Sequence, residues 1–91
     1  MASSQGAIRG ATEAGAQNVP QATLYVRLAQ EERQHAIELV KKGENDRARF
    51  VLARSEADAE LAIALARQAR AEQAADAAGQ RVQDLQQKVS P

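Results

Sequence analysis

The single histidine of this chain lies in Glu31-Glu32-Arg33-Gln34-His35-Ala36, three residues after Glu32. On a helix that spacing sets a carboxylate beside an imidazole on one face, the way two ligands of a transition metal are presented together. Projection at about 100° per residue also puts Glu32 near the middle of an apolar face, where an unpaired carboxylate is costly and a metal ion or a cationic side chain would account for it. Arg54 and Asp58, four residues apart, form a second charged pair between apolar positions. They suit either a register-fixing contact across an interface or a solvated pair within one helix.

Over Glu31 to Ala36 the chain resembles the Glu-x-x-His ligand motif of ferritin-like di-iron bundles. That likeness implies an iron-binding protein assembled by oligomerisation around Glu32 and His35. Such a site needs a second Glu-x-x-His and two further glutamates, so with one histidine only a symmetric dimer, with Glu56, Asp58 or Glu60 contributing, would complete it. The simpler reading pairs Glu32 with an arginine of the long helix or of the N-terminal segment and leaves His35 at the rim beside Leu24 and Leu39.

Other chemistry is poorly served. The histidine has no neighbouring nucleophile, there is no glycine-rich phosphate loop, and the absence of cysteine removes thiol catalysis and thiolate metal sites. The chain therefore reads as noncatalytic and without a cofactor. Twelve basic and twelve acidic residues are interspersed to a formal charge of zero, which argues against nucleic acid as a partner. No apolar run approaches the roughly 20 residues of a transmembrane helix, and Met1-Ala2-Ser3-Ser4 lacks the charged and apolar regions of a signal peptide.

The elements that position these residues are helical. Asn18-Val19-Pro20 starts a helix, with Asn18 as a cap and Pro20 in the first turn; Lys41-Lys42-Gly43 ends it, and Glu44-Asn45-Asp46 can cap the next. From about Asn45 to Val89 only Gly79 interrupts a run of strong helix formers. The fold class is all-α: an antiparallel helical hairpin of about 20–42 and 45–89, with a weak N-terminal helix, three-helix or coiled-coil-like. Gly6, Gly10 and Gly15 make residues 1–18 a flexible or weakly helical segment, with Ala7 to Ala14 a weak helix at best, and leave 19–91 as the hairpin domain with its extended C-terminal helix.

Leu24, Tyr25, Leu28, Ala29, Ala36, Leu39 and Val40 share one side of the first helix. The long helix carries two stripes. Ala48, Val51, Leu52, Ser55, Ala59, Ala62, Ile63 and Ala66 suit packing on residues 20–42, while Phe50, Ala57, Leu61, Ala64, Ala71, Ala75, Ala78, Val82, Leu85 and Val89 step by threes and fours as in a coiled coil. Tyr25 reads as a core residue and Phe50 as filling the hairpin near its turn. A chain of 91 residues has a thin core, and an alanine-rich one buries little surface per position. The short helix covers only about Asn45 to Arg67. Ala71, Ala75, Ala78, Val82, Leu85 and Val89 therefore call for another helix, in a homodimer or on another helical protein.

The run Ala11 to Ala71 resembles a bacterial cell-envelope domain of unknown function, often found in lipoproteins and sometimes preceding an OmpA-like peptidoglycan-binding domain. The likeness lies in Ala14-Gly15-Ala16, Leu28-Ala29-Gln30-Glu31, Gly43 to Ala48 and Ala57 to Arg67. It implies a periplasmic or outer-membrane-anchored helical module, with a lipid anchor in a longer precursor. The expected function is then a noncatalytic interaction or spacer domain acting through helix association.

Overall fold

A computed structural model describes residues 2–90; Met1 and Pro91, which close the two segments read from the sequence, lie outside it. Three helices follow one another: α1 Ala2–Glu13, α2 Pro20–Lys41 and α3 Asn45–Val89. A 3-10 turn, Ala16–Asn18, joins the first two. Among the described residues there is no strand, and no helix is long and apolar enough to cross a membrane.

The junction between α2 and α3 follows from glycine. Gly43 adopts φ 79°, its N–H donates to the Val40 carbonyl at 3.0 Å, and the Glu44 N–H donates to the Leu39 carbonyl at 2.9 Å. This is a Schellman closure, which a side chain at position 43 would strain. The helix starts differ from the sequence reading. Val19, not Asn18, stands at the α2 N-cap and no side chain caps it, because Asn18 is taken up by the 3-10 turn. Glu44 precedes α3 with its carboxylate turned to Arg47 at 2.9 Å rather than to the backbone.

The hairpin is antiparallel, as the sequence indicates. Ala29 of α2 lies against Ser55 of α3, and Glu32 against Arg54. The N-terminal helix expected from the sequence is α1, which starts at Ala2 and lies parallel to α3, since Ser4 meets Ser55, Gly10 faces Ile63, and the Ala14 carbonyl accepts from Arg70. A Cβ at Gly10 would sit 3.4 Å from the end of the Ile63 side chain, an ordinary van der Waals contact. Gly15, at φ 90°, ends α1 with its N–H on the Thr12 carbonyl.

The core is built almost entirely from small side chains. Ser4 and Ala11, then Ala22, Ala29 and Ala36, then Ala48, Ser55 and Ala62 recur at intervals of seven, and all are buried. That period keeps one seam of each helix against its neighbours. Because the seam carries no bulk, backbones approach closely enough for the Ser55 hydroxyl to donate directly to the Ala29 carbonyl at 2.6 Å. Among the described residues, Leu39 is the only large apolar one that is buried. One apolar cluster gathers Ala11, Ala16, Ala22, Ala62 and Ala66; another gathers Ala36, Leu39 and Ala48.

The molecule is a rod of 75 × 17 × 15 Å. Its length is set by α3, whose 45 residues exceed the 22 of α2. Among the described residues, Ala66 is the last buried one and Ala69 the last half-buried one; every residue from Arg70 to Ser90 is exposed. The rod is thus a folded base with a single helix projecting from it.

Candidate functional site

The α2–α3 seam opposite α1 is open. At its turn-proximal end a groove of about 650 Å³ is lined by Leu28, Glu32 and His35 of α2 and by Asp46, Arg47, Phe50, Val51 and Arg54 of α3. One helical repeat along, a second groove of about 300 Å³ is lined by Gln21, Leu24, Tyr25, Leu61 and Leu65. Leu24 and Leu28, and likewise Arg54 and Leu61, are spaced to share a helix face, so the two grooves lie in line as a broken channel along one side of the seam. Leu24, Phe50 and Leu61 are among the most exposed large apolar residues of the base.

Phe50 departs from its expected place. It does not fill the hairpin but is 67% exposed on the groove wall. The buried seam of α3 runs through Ala48, Ser55 and Ala62, and position 50 is turned about 200° from position 48, beyond the reach of α2. The first stripe of α3, by contrast, packs as read: Ala48, Ser55, Ala59, Ala62 and Ala66 are buried, with Val51, Leu52 and Ile63 half-buried. Tyr25 packs against the larger alanine cluster.

Glu32 lines the larger groove. Its Oε2 accepts from Arg54 Nε at 3.3 Å, with the glutamate side chain only 15% exposed. Arg54 therefore reaches across to α2 rather than pairing with Asp58 on its own helix. Glu32 Oε1 is buried and meets no donor among the described residues. The neighbouring carboxylate of Asp58 accepts a hydrogen bond once Glu32 carries a proton. Burial first, then that hydrogen bond and the charge of Asp58, push the Glu32 carboxyl up to about 7, against the pull of Arg54. The trio is a partly neutralised polar clasp between α2 and α3.

His35 lines the same groove as Glu32 but is exposed. Of the further carboxylates weighed as ligands, Asp58 is drawn to Glu32, Glu56 is half-buried outside the groove lining, and Glu60 is exposed. Among the described residues, no three or more His, Cys, Asp or Glu side chains gather as a metal site would require.

The other candidate surface lies on the projecting helix. Ala71, Ala75, Ala78, Val82, Leu85 and Val89 are all exposed, with Val89 at 81%. Ser4 and Arg33 escaped the sequence reading. Ser4 joins α1 to α3, and Arg33 reaches from α2 to the Gln5 side chain at 3.4 Å. The seven-residue interval between Ser4 and Ala11 was the available signal for the first of these. No protein-family model matches the chain, and no curated protein and no solved structure resembles it significantly.

Proposed function

We propose that this chain is a noncatalytic helix-association module, in which the three-helix base holds out the C-terminal half of α3 as the element that binds another helix. The observation that carries this reading is the apolar stripe Val82, Leu85 and Val89, exposed on a helix with no neighbour among the described residues. An isolated helix of some 20 residues gains little stability from propensity alone, so a stripe of this kind is stabilised by being covered. Its place as a spacer or interaction domain of the bacterial cell envelope, anchored through a lipid on a longer precursor, draws on the likeness of Gly43 to Ala48 and Ala57 to Arg67 to that class of domain.

Sedimentation equilibrium of the wild type and of a Val82→Glu, Leu85→Glu double variant tests the association. The variant places two charges on the stripe and leaves the base untouched. We expect an associating wild type and a variant that remains monomeric, because each buried glutamate would lack a partner. An assembly that survives both charges would remove the stripe from the interface.

A further inference from the structure

We infer that the helix covering the stripe belongs to a second copy of this chain, bound antiparallel, so that the projecting half of each α3 lies in the α2–α3 channel of the other. The inference rests on the association reading and adds the partner, the direction and the register.

The first support is that the stripe is not confined to the projecting half. Steps of four and three alternate without a break from Phe50 through Arg54, Ala57, Leu61, Ala64 and Gln68 to Ala71, Ala75, Ala78, Val82, Leu85 and Val89. All twelve positions are exposed, six on the base and six beyond it. Two such helices laid antiparallel, with the twofold axis midway between Gln68 and Ala71, match every base position to one projecting position with none left over. Neither the exposed stripe of the base, whose Phe50, Arg54 and Leu61 line the grooves, nor the bare half of α3 then stays uncovered.

The second support is size. In this register Leu61 faces Ala78 and Ala57 faces Val82, so a large side chain meets a small one, while Phe50 meets Val89 at the end of the channel. Arg54 faces Leu85. Since Glu32 holds the guanidinium toward α2, the arginine offers its methylene stem to the leucine. A parallel pairing in register would instead set Arg54 against Arg54, a like-charge contact.

The third support is charge. The positions flanking the seam bring Glu60 opposite Arg81, twice by symmetry, and Arg67 opposite Ala74. Slipping the register one heptad either way brings Arg67 opposite itself or opposite Arg81, a like-charge contact in both cases. The area is sufficient. Each projecting half is about 28 Å long and about 10 Å wide, so two of them seated in two channels bury on the order of 1,100 Å² in all, near the lower bound for a specific interface.

The absence of cysteine makes the register directly measurable. In an Ala57→Cys, Val82→Cys double variant, the thiol at 57 in one copy faces the thiol at 82 in the other, and oxidised glutathione should convert it rapidly to a covalent dimer. Each single variant should stay largely unlinked, because equivalent positions then lie about 37 Å apart. Arg81→Glu should weaken the dimer several-fold, and Glu60→Arg added to it should restore the affinity. A covalent dimer from Val82→Cys alone would overturn the antiparallel direction while leaving association through the stripe intact. A wild type that stays monomeric at high micromolar concentration, with the double thiol variant unlinked, would overturn the second copy as partner. Failure of the reversed charges to restore binding would overturn the register.

Discussion

The Ser4 and Ser55 hydroxyls lie 2.6 Å apart, fifty-one residues distant in sequence and fully enclosed. Ser55 gives its one proton to the Ala29 carbonyl at 2.6 Å, so Ser4 must be the donor to Ser55. One short chain of hydrogen bonds thus ties α1, α3 and α2 together where the seams meet. In a core of alanines it is the most specific contact between the helices.

Ser55→Ala breaks this chain and leaves the Ser4 hydroxyl buried without an acceptor. We expect a loss of about 1–3 kcal/mol in urea unfolding. Ser4→Ala, Ser55→Ala together should cost less than the sum of the single changes, since both partners are then removed. Strict additivity of the unfolding free energies would show that the two hydroxyls do not interact.

Glu32 makes stability depend on pH. Its carboxyl is raised from an ordinary value of 4.5 to about 7 by burial and by Asp58, with Glu31 adding a smaller push and Arg54 opposing. The folded state therefore holds the proton more tightly than the unfolded one. The stabilisation is fully present below about pH 4.5 and is lost as pH rises through about 7. Urea midpoints should fall between pH 5 and pH 8 in the wild type. In Glu32→Gln, which keeps a donor toward Asp58 and cannot ionise, this fall should flatten.

Leu39 is 3% exposed and is the one large apolar side chain enclosed in the turn-proximal cluster. Leu39→Ala should cost about 2–5 kcal/mol. Leu28→Ala and Leu52→Ala, at half-buried positions, should cost clearly less. Equal denaturation midpoints for all three variants would contradict this ranking.

Two glycines of the N-terminal region should respond in opposite directions. Gly6 is helical with open space around it, so Gly6→Ala should stabilise by up to about 1 kcal/mol. Gly15 stands at φ 90°, and Gly15→Ala should destabilise by about 1–2 kcal/mol. Thermal melts followed by circular dichroism would separate the two signs.

Local rules account for the parts that were legible in the sequence. Pro20 at a helix start, Gly43 at its end and the unbroken helix formers after Asn45 act within a turn or two, so they determined two helices and a tight antiparallel reversal. Helical periodicity likewise picked out the alanine seam of α3 and the stripe that continues past the base, because the angle between side chains on one helix depends on spacing alone. That Glu32 pairs with an arginine, of the long helix or of the N-terminal segment, was also foreseeable, as a buried carboxylate needs a cation; the partner is Arg54 of the long helix.

What tertiary structure alone decided is how the helices are set against one another. The docking of α1 depends on a hydroxyl contact across fifty-one residues, which helix propensity does not record. The choice of Arg54 rather than another arginine, the approach of Asp58 and the outward turn of Phe50 all follow from where the seam of α2 falls on α3. Alanine side chains are too small and too alike to specify that register by themselves. It is determined by the sum of close backbone approaches, and these exist only once the three helices are assembled.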